Sequence, residues 1–68
     1  MGNPRLNTSE QITALLVLEG KSTGEIADFL GVTRGHVNNM KKRLRTVMGH
    51  DDIRDAAKAA KKRGLLNI

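Results

Sequence analysis

The chain has no cysteine, tryptophan or tyrosine, and its one aromatic residue is Phe29. Without thiols, neither a disulfide framework nor a thiolate zinc site can form. His36 and His50 stand fourteen positions apart with no third ligand at a matching spacing, so no metal is expected. No apolar run approaches the ~20 residues that cross a bilayer. The N-terminus lacks the charged-then-apolar layout of a secretory signal, and Leu6 stands where a myristoylation signal needs Ser or Thr. The expected location is therefore the cytoplasm. A nucleophile–base pair, a phosphate-binding glycine loop and paired carboxylates in a cleft are also missing, so neither an enzyme nor a cofactor is expected. Sixty-eight residues imply one domain, 1–68, with a thin core.

Charge is present in quantity and unevenly placed. Residues 1–33 carry Arg5 and Lys21 against Glu10, Glu19, Glu25 and Asp28, a net charge of −2. Residues 34–68 carry ten Lys and Arg against Asp51, Asp52 and Asp55, a net charge of +7. Such polarity suggests a polyanionic partner, although exposed cations also simply solvate helix faces.

Punctuation along the chain marks four helices and no strand, an all-α fold. Gly20, Gly49 and Gly64 each follow an apolar-periodic segment, where a left-handed residue ends a helix. Thr8 with Gln11 and Ser22 with Glu25 fit the capping-box spacing, and Thr33 and Asp51 can cap two further helices. The expected helices are about 8–19, 22–30, 34–48 and 51–63. Their expected core comprises Ile12, Leu15, Leu16 and Leu18, with Ala14 and Val17 between them, then Ile26, Ala27 and Leu30. The third helix adds Val37, Met40, Leu44 and Met48 at the spacing of one buried stripe. Ile53, Ala56, Ala57 and Ala60 line the fourth, and Leu65-Leu66 follow as an apolar clip.

The second and third helices are joined by Gly31-Val32-Thr33, the layout of a helix-turn-helix. With its apolar stripe turned inward, the third helix would expose Arg34, Gly35, Asn38, Asn39, Lys41, Lys42 and Arg45, and it carries no acid. Asn pairs bidentately with adenine, while Lys and Arg reach guanine or phosphate. Helix starts at Ser22 and Thr33 offer backbone N–H groups to phosphate. Asp51, Asp52 and Asp55 read as complements to a helix dipole rather than a cation site. Lys58, Lys61, Lys62 and Arg63 read as solubilising charge, and His36 as a partly exposed spacer.

The positions Leu6, Glu10, Leu16, Gly20, Ser22, Glu25-Ile26-Ala27, Leu30, Val32-Thr33, Val37, Leu44, Met48-Gly49, Ala56, Ala60 and Gly64-Leu65-Leu66 fall without a gap on one pattern. In this register the chain resembles the LuxR/GerE-type DNA-binding domain. The resemblance implies a four-helix domain whose third helix enters the major groove and whose fourth often mediates dimerisation. It further implies base contacts at Asn38, Asn39 and Lys42, and phosphate contacts at Ser22, Thr23, Thr33 and Arg34. Lys41 and Arg45 are added to the phosphate set by their place on the third helix. The chain departs from the pattern at His36, Asn38 and Met40, where the family usually has Thr, Lys and His. It departs again at Ile53, commonly Arg.

The expectation is a sequence-specific, double-stranded DNA-binding transcription regulator acting as a homodimer through Ile53, Ala57 and Ala60. A rival expectation is a small helix-turn-helix protein that binds a larger regulator or RNA polymerase. Its motive is the Ala14-Leu15-Leu16-Val17-Leu18 segment, apolar nearly all round the first helix.

Overall fold

The computed structural model describes residues 6–66. It contains α1 (Thr8–Leu18), α2 (Thr23–Leu30), α3 (Arg34–Met48) and α4 (Ile53–Lys62). The third helix packs against each of the other three, and α1 packs most heavily against α4. This makes α3 both the central strut and, along its outer side, a surface element. The body measures 33 × 19 × 18 Å.

Local chemistry explains where each helix begins. Ser22 caps α2: its hydroxyl accepts from the Glu25 N–H at 3.2 Å, and Glu25 Oε1 accepts from the Ser22 N–H at 2.9 Å. Hydrogen bonding to the carboxyl from the Ser22 backbone N–H first, and then from the Ser22 side chain, holds Glu25 below its ordinary value, with help from nearby Lys21. Thr33 caps α3 by accepting from the His36 N–H at 3.1 Å.

Two expected caps are corrected. The first helix is capped by Asn7 and Glu10, not by Thr8 and Gln11: Asn7 Oδ1 accepts from the Glu10 N–H at 2.8 Å, and Glu10 Oε1 accepts from the Asn7 N–H at 3.0 Å. Gln11 instead sends its side-chain amide to the Leu6 carbonyl at 2.8 Å. The fourth helix begins at Ile53 rather than 51, because Asp52 and not Asp51 receives the free N–H groups of Arg54 and Asp55, at 2.7 and 3.3 Å.

Between α2 and α3 the chain must reverse within three residues. Gly31 does this at φ 69°, a left-handed conformation costly for a residue with a Cβ, and lets the Val32 N–H reach back to the Ala27 carbonyl at 3.0 Å. The turn is therefore a tight helix stop feeding directly into the Thr33 cap.

The core contains Ile26, Ala27, Val37, Met40, Leu44, Met48, Ala56, Ala57 and Ala60, as the periodicities indicate. On α1 the outcome differs. Glu10, Thr13, Ala14 and Val17 form the buried stripe, whereas Ile12, Leu15, Leu16 and Leu18 are half-buried. Two polar residues on that stripe masked it. Thr13 satisfies itself by donating to the Ser9 carbonyl at 2.8 Å, with Met40 Sδ at 3.8 Å. Glu10 is 2% exposed, and its second oxygen pairs with Arg43 Nε at 2.6 Å.

That ion pair ties α1 to α3 and is asymmetric, since the Arg43 side chain is 59% exposed while that of Glu10 is 3% exposed. Arg43→Ala leaves a buried carboxylate with the Asn7 N–H as its remaining partner. It should cost about 1–3 kcal/mol. Adding Glu10→Gln removes the stranded charge and keeps the capping acceptor, so the double variant should recover part of the loss in urea unfolding. If the two losses simply add, the buried charge is not what matters.

Candidate nucleic-acid interface

Burial of Val37, Met40, Leu44 and Met48 fixes the rotation of α3 about its axis. Asn38, Asn39 and Lys42 are all exposed on its outer side, together with Gly35 and Thr46. A 15-residue helix is about 22 Å long. No acid interrupts α3, so this side offers hydrogen-bonding amides, a hydroxyl and positive charge with no negative charge among them.

A second group gathers where α3 passes the start of α2. Lys41 Nζ donates to Thr23 Oγ1 at 2.6 Å. Arg34 folds back over the first turn of α2, so closely that a Cβ on Gly24 would lie 3.0 Å from Arg34 Nη2 and 3.2 Å from Nε. An ammonium, a guanidinium and a hydroxyl thus stand around the N-terminal end of α2, where backbone N–H groups and the helix dipole favour an anion. Burial, and then the positive charge of Arg45, lower the Lys41 pKa from its ordinary value. Both effects penalise the free ammonium, and an arriving phosphate would relieve them.

The expected phosphate residues are thus brought together in part. Thr23, Arg34 and Lys41 converge. The oxygens of Ser22 and Thr33 accept cap hydrogen bonds, and the Ser22 N–H is given to Glu25 Oε1, so Ser22 offers an outside partner less than Thr33 does. Arg45 lies further along α3, where it lines a polar cleft of about 470 Å³ with Lys42, Thr46, Gly49, His50 and Asp51. The place of His50 beside Arg45 escaped the sequence reading because it lies beyond the Gly49 stop of α3, and periodicity does not extend around a helix stop.

The close fit between Gly24 and Arg34 supplies a test that separates binding from folding. Gly24→Ala adds a methyl group against the flexible end of Arg34, so the guanidinium must swing away. Helical propensity at that site improves by up to about 1 kcal/mol. Thermal stability should hold or rise while duplex affinity falls severalfold and equally for all sequences. Unchanged affinity would show that Arg34 is not needed where the structure places it.

Two residues of the expected dimer surface on α4, Ala57 and Ala60, are corrected. Ala57 and Ala60 are fully buried inside the subunit, and Ile53 is half-buried. The exposed residues of α4 are Arg54, Asp55, Lys58, Lys61 and Lys62. The small side chains allow α4 to approach the rest of its own subunit, and the side left outside is mainly cationic.

No family model and no curated protein matches the chain. Among solved structures it is similar to the crystal structure of the phage VqmA–DPO complex, with a TM-score of 0.77 and 22% sequence identity. The match covers 93% of this chain and 29% of the other, so the chain spans less than a third of that structure's length. At this identity the likeness is one of fold. Fold and surface together define an all-α, four-helix helix-turn-helix domain. Among the described residues no helix is long and apolar enough to cross a membrane.

Proposed function

We propose that the chain is a sequence-specific, double-stranded DNA-binding transcription regulator that acts as a homodimer and inserts α3 into the major groove. One observation carries the reading: the acid-free outer side of α3 is continuous with the Thr23, Arg34 and Lys41 cluster at the start of α2. A groove about 12 Å wide admits a helix. Asn38, Asn39 and Lys42 supply the directional donors and acceptors for base edges, while the cluster beside them supplies phosphate anchors. A strand of backbone lying along α2 would meet its helix dipole and three side-chain donors together. The absence of acid from α3 favours a polyanion over a neutral or basic partner. The similarity to a phage VqmA structure fits the reading at the level of fold.

The deciding experiment is in vitro selection of bound duplexes from a random pool. The reading expects an enriched motif repeated with two-fold symmetry, its half-sites about 34–36 Å apart or a multiple of that. A pool that remains random after repeated rounds would refute sequence-specific binding. An enriched but unrepeated motif would keep the DNA reading and remove the dimer.

A further inference from the structure

Asp51 has no structural task that accounts for it. Its neighbour Asp52 caps α4, while the Asp51 carboxylate is exposed and forms no ion pair or hydrogen bond among the described residues. It stands instead on the polar cleft of about 470 Å³ at the end of α3, beside Lys42, Arg45, Thr46, Gly49 and His50. We propose that Asp51 determines specificity: with Lys42 it reads one G·C base pair, the ammonium meeting guanine and the carboxylate meeting cytosine. The inference rests on the DNA reading above and deepens it by naming a base pair and a reader outside α3.

Placement comes first. Asn38, Lys42, Thr46 and Gly49 follow one another at spacings of four, four and three, so they share one side of α3. Lys42 and Thr46 line the cleft as well as the outer side, which makes the cleft the continuation of the reading stripe. From Asn38 to Thr46 the helix rises about 12 Å, close to the width of the major groove. A duplex edge in contact with Asn38 and Lys42 therefore extends to the cleft.

Every charged group on the cleft has to suit the occupant. Lys42 and Arg45 are cations, Asp51 is an anion, and the His50 ring can donate or accept. A phosphate would be drawn by the two cations but opposed by Asp51 and by the negative end of the α3 dipole. A base edge satisfies both signs. Across the major groove a G·C pair shows guanine N7 and O6, both acceptors, and then the donating cytosine amine. An ammonium only donates and a carboxylate only accepts, so the two side by side match that order. An A·T pair sets its donor between two acceptors, and the carboxylate would then face thymine O4 and the methyl group. Beside any edge that offers it no donor the carboxylate is repelled, so it discriminates rather than adding general affinity. Arg45 is left for the flanking phosphate.

Fluorescence anisotropy of the full chain tests the inference, on the selected duplex and on versions carrying each of the four base pairs at every position. At one position of the wild-type site, exchanging G·C for A·T should lower affinity about tenfold, the effect of one good base contact. Asp51→Ala should abolish the preference at that position and leave the others intact. The same variant should bind the A·T version severalfold more tightly than the wild type does, because the repulsion is gone. Lys42→Ala should lose its preference at the same base pair. Asp51 is exposed, so the melting temperature of its variant should hold. An Asp51→Ala protein that binds every sequence more tightly by one factor would overturn the inference, because the carboxylate would then only repel phosphate. So would unchanged preferences, or effects of Lys42→Ala and Asp51→Ala at different base pairs. A wild type that selects no sequence defeats the DNA reading and this inference together, whereas a selective wild type indifferent to Asp51→Ala defeats this inference alone.

Discussion

Replacing Leu44 with alanine should destabilise the domain by about 3 kcal/mol, and at 37 °C a large part of the population should be unfolded. Leu44 is fully buried on α3, which like α1 packs against all three other helices. Truncation there opens a cavity at the meeting point of the fold, and Leu→Ala changes in such sites cost about 2–5 kcal/mol. A chain of 68 residues has on the order of 3–10 kcal/mol in total. The loss is thus a large fraction of what is available, since a core this small has few neighbouring side chains able to collapse into the space. Urea unfolding followed by circular dichroism should show the midpoint fall with the slope unchanged. Leu44→Met, which nearly conserves volume, should cost less than about 1.5 kcal/mol. If the two variants behave alike, side-chain volume at 44 is not what supports α3.

Much of this architecture was legible in the residues. Helix ends are written in short local codes, and those at Ser22, Gly31, Thr33 and Gly49 needed nothing beyond neighbouring residues to be read. The apolar stripe of α3 was equally plain, because its opposite side is polar apart from Gly35. Reading failed where a polar group is buried or where two segments meet. Glu10 looks like a solvent-facing acid, yet it is buried because Arg43 arrives from α3 to neutralise it. Once Glu10 points inward, Asn7 becomes the cap and the buried stripe of α1 rotates toward Thr13 and Ala14.

The misreading of Ala57 and Ala60 as surface residues has a related cause. Alanine at 57 and 60 permits close approach, but sequence does not say of what, and here α4 closes on its own subunit. On the candidate interface, Asn38, Asn39 and Lys42 were readable from α3 alone, whereas the contact between Lys41 and Thr23 required α2 in place. Residues within one helix are related by a fixed period, and residues on different helices are related only by the fold.

The largest functional effect should come from that readable side. Changing Asn38, Asn39 and Lys42 together to alanine should lower affinity for the selected duplex by about a hundredfold or more, since each good base contact contributes about 1–3 kcal/mol of discrimination. Stability should hardly change, because all three are exposed and substitutions at such positions stay within about 0.5 kcal/mol. Salt dependence then distinguishes the two kinds of contact. The triple variant should retain most of its log–log slope against salt, since Arg34 and Lys41 still neutralise phosphate. Arg34→Ala or Lys41→Ala should instead reduce that slope by about 0.9 per phosphate released and leave base preference intact. Fluorescence anisotropy on specific and scrambled duplexes across a salt series measures both. A triple variant that still prefers the selected sequence would remove these residues from the reading face. A triple variant that loses slope and preference together would mean that α3 contributes charge rather than a code.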